Sequence, residues 1–344
     1  MSGHLGILGG GQLGRMLALA AHRLGVDVRV LDPSRGAPAS RAARARRAAW
    51  DDPDALEWLA DGAAAITWER EDVPSDTLEQ LAERAPVRPD PSVLRRVQDR
   101  DAQQRLVTAA GIATAPWVAL APGEAPGESM RGLRLPVMIK ARRGGFDGRG
   151  QRVARTPQEL VDACASFARH GVIVEELVAF DDELAVLAVR GADGDVRTWV
   201  PVRTRQVDGQ LASAEAPHPA HAAVGSQAVG IATELAHALG HVGVLAVECF
   251  RVGDRLLVNE LAPRVHNSGH WTPEGSATGQ VEQHVRAVLG LPLGDCRAHG
   301  AAALANCIGT LPDARAVLAV PGASLTVYGK TPRAGRKLGH VSVV

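Results

Sequence analysis

The chain has 344 residues, 46% hydrophobic and 22% charged, with 38 basic residues balanced by 38 acidic ones. This is an ordinary globular composition with room for two or three domains, and zero net charge argues against nucleic acid or an anionic membrane surface as partner. Cys164, Cys249, Cys296 and Cys307 lack CxxC spacing, no apolar run approaches the roughly 20 residues of a membrane helix, and the N-terminus lacks a signal peptide's basic region, so a zinc site, a disulfide framework and a membrane span are not expected and a reducing cytoplasm is.

Residues 5–32 read as strand, glycine turn, helix, strand. LGILGGG runs a strand into a turn, QLGRMLALAAHRLG is an amphipathic helix, and VDVRVLD returns as a strand ending at Asp32. Gly9, Gly11 and Gly14 satisfy GxGxxG, which lets backbone N–H groups and a helix N-terminus approach a phosphate. Asp32 sits where a ribose hydroxyl could bind. Alone this is a weak signal, since the same turn suits any phosphate ester. The run SRAARARR (40–47) reads as a solvated helix face. DDPDALEWLA is a helix and AAAITWERE a short strand, with Glu69 and Glu71 expected on opposite faces of the sheet and one of them toward a cleft. The helices DTLEQLAERAP and DRDAQQRLVTAAGI flank a Pro-rich break, VRPDPSV (87–93), and a domain boundary is expected at about residue 113.

Beyond it, RLPVMIKARRGGFDGRGQRVA predicts a buried strand ending at Lys140, a loop carrying Gly144, Gly145, Gly148 and Gly150, and a second strand. Loop N–H donors beside a lysine charge suit a nucleotide phosphate, although GxxxxGK[ST] is absent. TPQELVDACASFARHG is a helix with the capping-box spacing Thr156…Glu159. In GVIVEELVAFDDELAVLAVR, a strand–loop–strand, Glu175, Glu176 and Glu183 follow an apolar run and suit adenine and ribose recognition. Further strands turn at Asp208-Gly209. SQAVGIATELAHALG is a helix, with His237 and His241 spaced i,i+4 as ordinary packing residues.

The densest stretch is NELAPRVHNSGHWT (259–272), with Asn259, Glu260, Arg264, His266, Asn267 and His270. A hairpin through VGDR would set Glu260 beside Glu248 of GVLAVECF, and paired carboxylate and amide oxygens suit Mg²⁺, which shares such ligands with phosphates. TGQVEQHVRAVLGLPL is an amphipathic helix, AALANCIG and SLTVYG are strands, and GRKLGHVSVV gathers Arg336, Lys337 and His340 near the end of the sequence.

Taken together these segments resemble an ATP-grasp ligase, and within that group the N5-carboxyaminoimidazole ribonucleotide synthetase family. The likeness rests on GGGQLGRML (9–17), TWERE (67–71), QDR (98–100), TAPW (114–117), GGFDGRGQ (144–151), ECF (248–250), NELAPRVHNSGHWT and GRKLGH (335–340). It implies a mixed α/β and α+β fold: a Rossmann-like pre-ATP-grasp domain at 1–112, a small lobe with a Gly-rich lid at 113–176, and a large lobe with a small β-rich C-terminal segment at 177–344.

It also implies ATP on Arg100, Lys140, Gly144, Gly145, Phe146, Asp147, Gly148, Arg149, Gly150, Glu175, Glu176, Leu177, Val178, Glu183, Asn259 and Glu260, with Mg²⁺ at Glu248 and Glu260. The ribonucleotide would lie on Gly10, Gly11, Gln12 and Leu13 with Asp32, Arg336 and Lys337. Glu69, Arg149, Arg264, His266 and Asn267 would surround the reacting centre, where bicarbonate is the co-substrate. A cytoplasmic homodimer acting on small molecules is implied.

Four departures stand out. Phe146 replaces a tyrosine, Gln206 a histidine and Gln104 a lysine, and the sequence stops soon after GRKLGH where relatives continue into a helix. The rival readings are a carboxylase of another amine, a silent ATP-binding protein and an NAD-dependent dehydrogenase.

Overall fold

The computed structural model describes residues 3–127, 130, 132–145 and 150–344. The N-terminal part holds β1 (His4–Leu8), α1 (Gln12–Arg23), β2 (Val28–Leu31), β3 (Arg44–Arg46), α2 (Pro53–Ala60), β4 (Ala63–Trp68), α3 (Ser75–Ala82), α4 (Pro91–Gln98) and α5 (Arg100–Ala109). Its strands form a parallel sheet in the order β3-β2-β1-β4. All five residues of β1 are buried, as expected of a parallel strand covered on both faces.

Two expectations for this part fail. The Arg-rich run is an edge strand rather than a helix, because the open side of β2 offers Arg44–Arg46 a ladder. The Pro-rich stretch is also the start of a helix: Asp90 Oδ1 accepts from Ser92 N at 2.9 Å, with Pro91 in the first turn. An Asp-Pro pair is a helix-start signal as much as a break.

The small lobe comprises β5 (Trp117–Leu120), β6 (Val137–Ala141), β7 (Gln151–Ala154), α6 (Pro157–Ser166) and β8 (Val172–Glu176). Its antiparallel sheet runs β5-β8-β6-β7, and α6 packs on it around Leu120, Ile139, Val174 and Cys164. Thr156 Oγ1 caps α6 by accepting from Glu159 N at 3.2 Å.

The rest of the chain comprises β9 (Asp182–Arg190), β10 (Val196–Thr198), β11 (Val202–Val207), β12 (Gln210–Ala216), α7 (His221–Ala238), β13 (Gly243–Val252), β14 (Arg255–Ala262), α8 (Thr272–Gly275), α9 (Gln280–Val288), β15 (Ala302–Ile308), α10 (Ala314–Leu318), β16 (Ala323–Val327) and β17 (Lys337–Val343). Among the described residues one nine-stranded sheet runs β14-β13-β9-β11-β12-β15-β17-β16, with β10 beside β9. The C-terminal strands therefore continue the large sheet.

The expected turn at Asp208-Gly209 is present, both residues having positive φ (50° and 71°), as a tight hairpin requires. His237 and His241 do not share a helix. α7 stops at Ala238, Gly240 turns the chain at φ 58°, and His241 is fully buried with Nε2 on Val244 O at 2.9 Å. Leu13 and Leu17 of α1 share one apolar core with Val281 and Val285 of α9 and with Leu187 and Ala246 of the large sheet. The glycine turn and the acidic hairpin are thereby tied into one packed body.

Candidate active site

The site starts from the register of β13 and β14. Glu248 lies directly opposite Glu260, and Cys249 opposite Val258, so Asn259 is one residue too many for the ladder. Strict alternation would turn Asn259 away from Glu260's face; a bulge re-aims it. Asn259 Oδ1 accepts from Lys140 Nζ at 3.0 Å, while Glu260 Oε1 lies 3.3 Å from Arg100 Nη1. Burial, followed by the nearby Glu260 and Glu183 carboxylates, pushes the Glu248 pKa up to about 8. Burial raises Glu183 as well.

Glu248, Glu260 and the Asn259 amide are hard oxygen donors of the kind a divalent cation takes. Among the described residues no group of three or more His, Cys, Asp or Glu gathers closely enough to hold a metal. A cation here would draw further ligands from bound phosphates.

Lys140, at the end of β6, pairs with Glu175 Oε2 at 2.6 Å, both side chains less than 10% exposed. Gln104 Nε2 donates to the other oxygen at 3.0 Å and leaves its own buried Oε1 without a partner. Arg100 Nη2 donates to Gly145 O at 3.2 Å, and Arg142 grips Asp99 through two bonds of 3.0 and 2.9 Å, anchoring the root of the glycine loop. Gly144 takes φ 78°, and Gly150 O accepts from Ala141 N at 2.8 Å. The expected contacts at Phe146, Asp147, Gly148 and Arg149 lie outside the described residues. Glu176 Oε1 accepts from Arg134 N, Leu177 N donates to Pro136 O, Leu177 is exposed and Val178 half-buried.

Just past the end of β14 Arg264 Nη2 meets Glu71 Oε1 at 3.0 Å. His266 turns Nε2 toward Glu248 Oε1 at 3.4 Å and keeps Nδ1 on Ser268 Oγ at 2.8 Å. Burial, with the Arg264 and Lys337 charges, holds its pKa well below the ordinary value, so the ring is neutral. Asn267 is only 7% exposed, yet neither its Oδ1 nor its Nδ2 has a partner among the described residues. A buried amide left unmatched is unusual and points to a ligand. His270 turns the other way and stacks on His340 at 4.9 Å.

β4 ends at Trp68, one residue before Glu69, so strand alternation does not set the side of either acid; Glu69 is buried, Glu71 is half-buried, and both sense the Arg264 charge. Burial raises both carboxyls. Glu69 Oε1 accepts from Gly11 N at 2.7 Å, and Asp32 Oδ2 accepts from Gly10 N at 2.7 Å. Two donors of the glycine turn are thus bound by acids from neighbouring strand ends. A Cβ on Gly14 would lie 2.4 Å from Gly9 O and one on Gly11 2.6 Å from Glu69 Oε1, so these glycines make room for the turn itself and for Glu69.

Leu13 is buried in α1, and Gln12 bonds Lys330, a residue that sequence reasoning passed over because nothing local marks it. Arg336 Nη1 donates to Thr331 O at 3.1 Å, while the Lys337 charge acts on Glu248 and His266. Beside Asp32 a cleft of about 370 Å³ is lined by Ser34, Arg35, Ser40, Arg46 and Arg47. Ser40, Arg46 and Arg47 were hidden in the run read as a solvated helix, and Arg46 is the last residue of β3.

Three family models match in succession: the ribonucleotide synthetase pre-ATP-grasp domain over residues 2–98, the ATP-grasp domain over 105–281, and the phosphoribosylaminoimidazole carboxylase C-terminal domain over 302–344. The chain is 42% identical to N5-carboxyaminoimidazole ribonucleotide synthase of Brucella melitensis, covering 98% of this chain and 95% of that one. It is similar to the crystal structure of N5-carboxyaminoimidazole ribonucleotide synthetase from Thermus thermophilus (TM-score 0.93, 43% identity, 98% and 93% of the two chains). It is also similar to N5-carboxyaminoimidazole synthase from Aspergillus clavatus in complex with ADP and 5-aminoimidazole ribonucleotide (TM-score 0.90, 30% identity, 99% and 93% covered).

Proposed function

This chain belongs to the N5-carboxyaminoimidazole ribonucleotide synthase family of ATP-grasp enzymes, and on that premise we propose that it uses ATP and bicarbonate to carboxylate the amine of 5-aminoimidazole ribonucleotide. The observation that carries this reading is the bulged Glu248–Glu260 pair, which brings Glu260 to Arg100, Asn259 to Lys140 and Glu248 to His266, and leads past the end of β14 into Arg264, His266 and Asn267.

Lys140 and Arg100 bind ATP phosphates, and Glu175–Val178 the base and ribose, with Glu183 nearby. Glu248 and Glu260, set opposite each other by the ladder, would hold Mg²⁺ through hard carboxylate oxygens. When bound, the ion neutralises charge on the phosphates. A bicarbonate oxygen attacks the γ-phosphorus and ADP leaves, giving carboxyphosphate. Carboxyphosphate hydrolyses readily, so water has to be kept from it. The amine nitrogen then bonds to the carbon, inorganic phosphate departs, and the amine gives up a proton. Arg264 and Asn267 hold the carboxylate oxygens. His266 relays that proton: its Nδ1 accepts from Ser268 N at 3.3 Å, so the ring carries its own proton on Nε2, gives it to the departing phosphate and is reprotonated there by the amine.

The ribonucleotide lies along the glycine turn, between Asp32 and Glu69 on one side and Lys337 on the other. This reading keeps the divisions at residues 112 and 176, and takes the chain as a cytoplasmic homodimer. No helix among the described residues is long and apolar enough to cross a membrane.

The test is ADP release from Mg-ATP and bicarbonate with and without the ribonucleotide. Strong stimulation, with one phosphate per nucleotide carboxylated, is the expected result. Bicarbonate-dependent hydrolysis that ignores the nucleotide would point to another amine.

A further inference from the structure

Helix α9 touches both halves of the site without contributing a group to the chemistry assigned above. Its first residue, Gln280, is fully buried. Gln280 Oε1 accepts from His266 N at 2.9 Å, and Nε2 donates to His266 O at 2.6 Å and to His270 Nδ1 at 3.1 Å. One amide thus satisfies both polar atoms of the His266 backbone, as a neighbouring strand would. The loop is wrapped tightly on it: a Cβ on Gly269 would lie 2.7 Å from Gln280 Cδ.

One helical turn on, His284 is also fully buried. Its Nδ1 accepts from Val244 N at 3.1 Å, so the proton of the neutral ring sits on Nε2, which donates to Thr67 Oγ1 at 3.0 Å. Thr67 stands two residues before Glu69, whose carboxylate holds Gly11 N. The helix packs against β13, β9 and α1.

We propose that α9 is a strut that fixes the separation between the ribonucleotide side (the glycine turn and Glu69) and the carboxyl-transfer side (Arg264–Asn267), with Gln280 and His284 as positioning residues at its two grips. The inference rests on the carboxylase reading. Forming a carbon–nitrogen bond needs the reacting atoms held at about 3–3.5 Å, and about 1 Å of misplacement costs on the order of 100-fold. Lys140, Arg100 and Glu260 bond Asn259, Gly145 and one another rather than α9, and of the groups assigned to phosphoryl transfer Glu248 alone touches the gripped loop, its Oε1 lying 3.4 Å from His266 Nε2. Loosening either grip therefore spares ADP formation and harms its coupling to product.

The experiment compares wild type with Gln280→Leu, Thr67→Val and Thr67→Ser, measuring the KM for ATP, bicarbonate-dependent ADP formation and carboxylated nucleotide per ADP. Thr67→Val keeps the shape of the side chain and removes the acceptor; Thr67→Ser restores it. Expected are ATP parameters within about twofold of wild type, product per ADP down about tenfold or more in Gln280→Leu and Thr67→Val, and recovery in Thr67→Ser. The inference is overturned if Thr67→Val stays fully coupled, if ATP parameters and coupling fall together by the same factor, or if Thr67→Ser does not recover. A wild-type chain that makes no carboxylated nucleotide would instead overturn the reading on which the inference rests.

Discussion

Lys140 and Glu175 meet at 2.6 Å with almost no access to water, and each has a second polar contact: Asn259 on the lysine, Gln104 on the acid. Two lobes are joined through this pair, since Lys140 and Glu175 belong to the small sheet and Asn259 to the large one. Removing one partner strands the other charge. Lys140→Met is expected to cost about 3 kcal/mol or more in unfolding free energy and to raise the KM for ATP at least tenfold. Denaturant unfolding and ADP-release kinetics check the two effects.

Asn267 gives the opposite signature. Its amide has no protein partner to lose among the described residues, so Asn267→Ala leaves no internal hydrogen bond broken there. Thermal stability should change little, about 1 kcal/mol at most, while kcat/KM for the ribonucleotide falls on the order of 100-fold. A large loss of stability with normal turnover would show that the amide is structural.

Glu248, Glu260 and Glu183 crowd three acids into one corner of the large sheet. Glu248→Gln should raise the Mg²⁺ concentration needed for half-maximal ADP release at least tenfold, and should stabilise the protein in EDTA by relieving the crowding. Magnesium titration and melting in EDTA read the two halves separately. An unchanged magnesium requirement would remove Glu248 from the cation site.

Part of the acid sensitivity should come from two fully buried histidines, His241 and His284. Burial lowers His241 to about 4 and His284 to about 3 from an ordinary 6.5, with Arg190 near the first and His241 near the second. Above pH 6.5 both are neutral folded or unfolded and contribute no pH dependence. Below it the unfolded chain binds protons that the folded chain refuses, so stability is lost progressively as pH falls from 6.5 toward 3. At about pH 5 the loss is about 2 kcal/mol per histidine. Replacing His284 by Gln should flatten the decline between about pH 6.5 and about pH 4 in unfolding measurements.

Much of this was legible in local chemistry. The hairpin through Gly253-Asp254 was marked by alternating apolar residues and a turn pair, and its pairing of Glu248 with Glu260 followed. Other features were not legible, for identifiable reasons. Arg44–Arg46 became a strand because β2 had a free edge, which no property of the arginines announces. Glu69 and Glu71 escaped the alternation rule because β4 ends one residue earlier. Lys330 reaches Gln12 across 318 residues of sequence and Gln280 reaches His266 across 14, through contacts that only the packed fold creates. The unmatched amide of Asn267 is a property of its surroundings, and a sequence carries no record of empty space.

The extra residue at Asn259 makes the length of a hairpin part of the enzyme's chemistry. Loss of a single codon between Leu256 and Val258 would let β14 pair evenly with β13, and by backbone criteria the hairpin would improve. The amide and the acid beside it would then face opposite sides, one toward solvent and substrate, the other into apolar packing. Such a lineage would keep every residue type of the motif, and a motif search would still find it, while the gene drifted as that of a folded but idle protein. Intact spelling is therefore a poor guide to intact activity at this position, and spacing is the better one.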